Sequence, residues 1–174
     1  MSEVLAAGEK VYTELKNLCN WVKNHTGMGA FYRSRHELVF VYKHGRAQSR
    51  NNVMLGKYGR DTNVWEYPSP RTLSEEGNLL EIHPTPKSVR MVADAIQDCT
   101  ARGDVVLDPC LGSGTSVIAP ERTGRRCFGL EIERRYVDTD IRRWQRYTGG
   151  QALHAASGRS FNQLEAEAEE RDAK

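Results

Sequence analysis

Eight residues, Asp108-Pro109-Cys110-Leu111-Gly112-Ser113-Gly114-Thr115, constrain this chain more than any other segment. They leave an apolar run, Asp104 to Asp108, and enter a helical pattern from Thr115 to Thr123 that Gly124 closes. A strand that feeds a helix through a glycine turn opens a βαβ unit, and that unit belongs to a doubly wound α/β sheet. Glycines at 112 and 114 let the backbone approach a ligand closely. The run Cys127 to Ile132 predicts the second strand, with Glu131 at its tip 23 residues beyond Asp108. An acid there can accept both hydroxyls of a ribose, so the layout suits a nucleoside. The dehydrogenase fingerprint requires a third glycine where Val117 stands, which disfavours a pyrophosphate ligand and a nucleotide-dependent oxidoreductase. The plain alternative is a tight turn whose Glu131 only faces solvent.

The flanking segments extend this pattern. Thr85-Pro86 reads as an N-cap with proline at the first helical position, and Val89, Val92, Ala93 and Ile96 form the apolar stripe of a helix that Gly103 ends. After the second strand, Val137, Ile141 and Trp144 share one face of a helix that stops at Gly149-Gly150. Upstream, Val4, Leu5, Val11, Tyr12 and Leu15 predict an amphipathic opening helix that Gly8 weakens by about 1 kcal/mol. Strands follow at Leu18 to Val22 and Glu37 to Lys43, separated by a turn at His25 to Gly29. The run Leu38-Val39-Phe40-Val41-Tyr42 lacks alternation, as expected of a strand covered on both faces. Gly45 to Leu80 has no convincing period and reads as one long loop region. Pro120 inside its helix removes a hydrogen bond and predicts a kink.

The 174 residues suit one domain, divided into 1–44 (helix and buried strands), 45–80 (loop region) and 81–150 (ligand-binding half), with 151–174 as a flexible tail. That tail holds five acids and few large apolar residues, so it is expected to fray. No apolar run approaches the roughly 18 residues of a membrane span, and Met1-Ser2-Glu3 lacks the features of a signal peptide. A cytoplasmic location is expected, without membrane partners. Cys19, Cys99, Cys110 and Cys127 form no C-x-x-C pair and read as reduced thiols, with no metal site. Net charge is only +2, but residues 31–60 hold Arg33, Arg35, Lys43, Arg46, Arg50, Lys57 and Arg60 against the single acid Glu37. Such a patch can neutralise phosphates, while Asn51, Asn52, Asn63 and Arg60 could reach base edges; a solvated loop face is the alternative. Trp65 and Tyr67 read as packing residues, and Trp21 and Trp144 as core.

Taken with His83-Pro84-Thr85-x-Lys87 upstream, the segment Asp108-Pro109-x-x-Gly112-Ser113-Gly114-Thr115 resembles the DNA amino-methyltransferases that modify adenine N6 or cytosine N4. Phe31-Tyr32-Arg33-Ser34-x-His36-Glu37 also looks like family sequence, and the resemblance runs from about residue 12 to 149. The order of segments resembles the beta-type members, in which the catalytic motif comes first, the recognition region next and the cofactor half last. The resemblance implies a Rossmann-like methyltransferase sheet, S-adenosylmethionine as cofactor and double-stranded DNA as partner, in the setting of restriction-modification. It also implies that His83, Thr85, Lys87, Asp108, Pro109, Gly112, Ser113, Gly114 and Thr115 surround the cofactor, with Glu131 on its ribose. His83 is as readily a loop anchor as a ligand contact. The DNA-binding residues so implied are Arg33, Arg35, Arg46, Arg50, Asn51, Asn52, Lys57, Arg60 and Asn63.

Three departures qualify this resemblance. The family's catalytic motif is [D/N/S]-P-P-[Y/F/W], and this sequence contains no Pro-Pro pair. That motif accepts the hydrogens of a weakly nucleophilic amine during in-line attack and stacks an aromatic ring on the flipped base. No catalytic residue is therefore assigned, and the sheet is expected to be incomplete at its N-terminal side. An upstream polypeptide would have to supply the motif, or the chain is a noncatalytic remnant or split-enzyme half that binds cofactor or DNA. Cys110 stands where the family often has an aromatic residue, and Pro120 is the third departure.

Overall fold

The computed structural model describes residues 1–29, 31–53, 62–69 and 83–172. Helix α1 (Ser2–Val11) leads into a three-stranded sheet of β1 (Glu14–Val22), β2 (His36–Lys43) and β3 (Val64–Glu66), in the order β2-β1-β3. Strands β1 and β2 are antiparallel, with Leu18 opposite Phe40 and Trp21 opposite Glu37, whereas β3 runs parallel to β1. The second half contains α2 (Val89–Cys99), β4 (Val105–Asp108), α3 (Thr115–Thr123), β5 (Arg126–Gly129), α4 (Arg134–Thr148) and α5 (Phe161–Asp172). Strands β4 and β5 pair in parallel, Asp108 opposite Gly129, and form the predicted βαβ unit around α3. The result is a partial Rossmann-like α/β fold.

The core lies where α2 meets α3. Val89, Ala93 and Ile96 from one helix close on Ile118 and Ala119 from the other, with Val92, Val106 and Trp144 packed around them. Trp21, 1% exposed, is the centre of the first sheet, and its indole N–H donates to the Tyr67 carbonyl at 3.0 Å. Tyr67 in turn donates its hydroxyl to Asp94 on α2 at 2.8 Å. Lys87 bridges to Glu37 at 3.0 Å, so the stretch leading into α2 is tied to β2. These contacts join the sheet of the first half to the helices of the second.

Several expectations are corrected. The opening helix ends at Val11, and Leu15 lies in β1. Gly8, inside α1, also provides a clearance: a Cβ there would stand 2.3 Å from the Tyr42 ring. Strand β2 is a half-exposed edge rather than a strand covered on both faces. The loop region contains β3, which three residues could not announce by period. Ser88, not Thr85, caps α2, because its extended backbone lets the hydroxyl accept from the Met91 amide at 3.4 Å. Pro120 lies inside α3, as the sequence predicts, and its ring is fully buried. The tail, expected to fray, carries α5, held to α4 by an ion pair of Arg142 with Glu165 and by Gln145 donating to Asn162 at 2.9 Å. All four cysteines are free thiols. No helix among the described residues is long and apolar enough to cross a membrane.

Candidate cofactor-binding site

The turn after β4 is built from backbone and carboxylate. Asp108 accepts from the Cys110 amide at 2.9 Å, and Leu111 and Leu130 connect the two strand ends through Leu111 N–H to Leu130 O at 3.0 Å. Gly112 and Gly114 have φ of +59° and +72°, so the chain reverses through two left-handed residues before α3 begins. Side chains at these positions would be strained, and one at Gly114 would also stand 2.5 Å from an Asp140 oxygen. Gly114 is the N-cap of α3, with its carbonyl accepting from Val117 and Ile118. The turn lies at the C-terminal ends of the parallel strands β4 and β5, where parallel α/β sheets hold their ligands.

Glu131 is fastened to that turn. One of its oxygens accepts from the Gly112 amide at 2.7 Å and the other from the Glu133 amide at 2.9 Å. These amides, Glu133 first and Gly112 next, hold its carboxyl below the usual carboxylate range, with His83 adding to the effect. Each oxygen keeps a further lone pair for a ligand hydroxyl.

His83 lies over the turn, its ring 4.6 Å from that of Tyr136 and its Nε2 3.3 Å from where a Gly112 Cβ would be. Its Nδ1 accepts from the Thr85 amide at 3.1 Å. Buried Thr115 donates to the Lys87 carbonyl at 3.1 Å and sits 3.2 Å from the Ser113 hydroxyl. The backbone of 83–87 is thereby docked on the glycine turn. The Lys87 ammonium, however, is directed to Glu37 and the Trp21 ring. Burial pushes the Glu37 carboxyl up, but its hydrogen bonds to Lys23 and Lys87 outweigh this and hold it down. The expected residues His83, Thr85, Asp108, Pro109, Gly112, Ser113, Gly114, Thr115 and Glu131 thus come together, with Lys87 joining through its backbone.

This geometry suits a nucleoside ligand, and comparison with known proteins gives the family. The model of the N6/N4 DNA methylase family matches residues 4–142. The chain belongs to that family. It is 37% identical over 81 residues to the DNA adenine methyltransferase YhdJ of Escherichia coli K12, a match covering 47% of this chain and 26% of that protein. Against the type II methyltransferase M.BglII of Bacillus subtilis it is 34% identical over 97 residues, covering 56% of this chain and 26% of that protein. The chain therefore spans only about a quarter of the length of these two methyltransferases. Among solved structures, the complex of M1.HpyAVI with S-adenosylmethionine superposes with TM-score 0.66 at 27% identity, covering 82% of this chain and 68% of that one. The cytosine-N4-specific PvuII methyltransferase shares the fold at TM-score 0.67 and 14% identity, covering 79% and 53%.

The residues expected to face DNA are distributed differently. Arg33 and Arg35 lie on the β1–β2 connection, which also exposes Met28, Phe31 and Tyr32, the last two as an edge-on pair 4.6 Å apart. Arg46, Arg50 and Asn51 are exposed after β2. Asn52 instead caps the end of α2, donating to the carbonyls of Gln97 and Thr100 at 2.7 and 2.9 Å. Asn63 donates to the Leu18 carbonyl at 3.1 Å and pins β3 to β1. The side-chain amides of Asn52 and Asn63 are thus bonded to backbone carbonyls, while both residues remain exposed. Lys57 and Arg60 lie outside the described residues.

Two residues escaped the sequence reading. Asp140 and Arg143 of α4 are 4% and 5% exposed, and Arg143 donates to the Ser113 carbonyl. Their signal was available: charged residues at 140 and 143 interrupt the apolar face of Val137, Ile141 and Trp144.

Proposed function

We propose that this chain is the cofactor-binding and part of the DNA-contacting portion of an adenine-N6 or cytosine-N4 methyltransferase, and that S-adenosylmethionine is its ligand. The observation that carries this reading is the Glu131 carboxylate, fastened to the Gly112 amide at 2.7 Å across the end of the parallel pair. When bound, the cofactor supplies a methyl group activated by its positive sulfonium. The chain's own residues supply the cradle: the turn at 112–114 lets the ligand reach the backbone, Glu131 accepts the ribose hydroxyls, and His83 with Tyr136 covers one side. Ser113, Gly114 and Thr115 are buried and keep the turn rigid.

Methyl transfer forms a bond from the base amine to carbon as the carbon–sulfur bond breaks, and the amine then releases a proton. The acceptors for those amine hydrogens belong to a Pro-Pro motif that this sequence lacks. We infer that a further polypeptide segment supplies it. The outer face of β4–β5 supports this, since Leu107 and Phe128 are 70% and 59% exposed and parallel strands are ordinarily covered on both faces. Phe31 and Tyr32, beside Arg33 and Arg35, are suited to stack on an unpaired base while the arginines hold phosphates.

Photocrosslinking of radiolabelled S-adenosylmethionine to the purified chain tests the cofactor reading. Labelling that S-adenosylhomocysteine suppresses and NAD does not is the expected result; labelling suppressed equally by NAD contradicts it.

A further inference from the structure

Asp140 has an unusual environment. It is 4% exposed, and neither carboxylate oxygen has a hydrogen-bond partner among the described residues. One oxygen fills the space a Gly114 side chain would take, directly beside the N-cap of α3. One turn further along α4, Arg143 grips the carbonyl of Ser113, the preceding residue of the glycine turn. The turn therefore rests on a buried acid and a buried base. A buried carboxylate without hydrogen bonds is costly when ionised and comes to rest as the neutral acid unless a positive charge arrives nearby.

We propose that Asp140 is a positioning residue that senses the charge of the cofactor through the glycine turn, ionising when the sulfonium binds and favouring it over the uncharged thioether product. The inference rests on the cofactor reading above. Burial pushes the Asp140 carboxyl up to about 7; Arg143 opposes this, and Glu131 and Asp108 add to it. Those are the charged groups acting on it among the described residues: Arg143 from α4, Asp108 from the end of β4 and Glu131 beyond β5, while the N-cap of α3, Gly114, packs against its carboxylate. The methylated cofactor carries one positive charge more than its demethylated product. Its arrival stabilises the Asp140 carboxylate, and by linkage removal of the Asp140 proton strengthens its binding. The ionised Asp140 also strengthens the pull on Arg143, which fixes the Ser113 carbonyl.

Calorimetric titration of the intact chain with S-adenosylmethionine and with S-adenosylhomocysteine tests this, at pH 6, 7 and 8 in buffers of different ionisation enthalpy. For the methylated cofactor, affinity should rise about three- to tenfold from pH 6 to pH 8, with a fraction of a proton released near pH 7. For the product, the rise and the proton release should be smaller. Asp140→Asn should flatten the profile for the methylated cofactor and narrow the preference at pH 8. The wild-type comparison of the two ligands stands even if that variant does not fold. Binding of the methylated cofactor without proton release, or a profile unchanged by Asp140→Asn, overturns the inference alone. No binding at any pH overturns the inference and the cofactor reading together.

Discussion

At Gly114, two physical demands meet in one position: φ of +72° and an Asp140 oxygen 2.5 Å from the Cβ an alanine would add. Gly114→Ala should therefore cost about 1–3 kcal/mol of stability, read by chemical denaturation. The double variant Gly114→Ala/Asp140→Ala should recover part of that loss, since crowding is removed and strain remains. Asp140 also gives stability a pH dependence of defined sign. Its carboxyl loses a proton near 3.8 when unfolded and near 7 when folded. Between these values the folded state holds the extra proton, so the contribution is complete below about pH 4 and is lost as pH rises to 7. Thermal melts should show Asp140→Asn flattening that decline, which is on the order of 2–4 kcal/mol across the window. An undiminished slope in the variant would assign the effect elsewhere.

Among the elements, those set by punctuation were legible and those set by tertiary contact were not. Gly112, Gly114 and Gly124 bracket α3, and its predicted span of Thr115 to Thr123 is the observed one. The start of α2 was misplaced because Thr85-Pro86 has the form of a cap, yet the Thr85 amide is engaged by His83 and the capping hydroxyl is that of Ser88. Ser88→Ala should cost about 1 kcal/mol, whereas Thr85→Ala should leave α2 intact in circular dichroism melts. Strand β3 and helix α5 were missed for a common reason. Each is stabilised by partners far away in sequence, β1 for one and α4 for the other, and neither has a strong apolar period of its own. The basic segment after β1 belongs to this scale as well. With the side-chain amides of Asn52 and Asn63 bonded to backbone carbonyls, DNA affinity should come mainly from phosphate contacts, giving a slope of log affinity against log salt of roughly −3 to −5. Arg33→Ala or Arg46→Ala should each reduce its magnitude by about one, and a flat salt dependence would leave the patch a solvated face.

Across the whole molecule, the family membership and the glycine turn were readable from about a dozen residues, because glycines and one acid at fixed spacing report directly on backbone geometry. Asp140 was not readable, since only packing reveals that its face of α4 lies against Gly114. The exposed apolar face of β4–β5 has consequences at this scale too. Leu107→Ser should change the stability of the isolated chain by less than about 1 kcal/mol, because the side chain is 70% exposed. The chain alone should transfer no methyl group to mixed-sequence duplex in a radiolabel assay; robust transfer would show that residues within it hold the base amine. The central claim is that the turn at 112–114 and Glu131 form a nucleoside site for S-adenosylmethionine. Calorimetry at pH 8 with S-adenosylmethionine and NAD, on the wild type and on Glu131→Ala, tests it most directly. Saturable binding of S-adenosylmethionine in preference to NAD, weakened about ten- to a hundredfold by Glu131→Ala in a variant that melts like the wild type, is the predicted result. Equal affinity for S-adenosylmethionine in wild type and variant, or a preference for NAD, would contradict it.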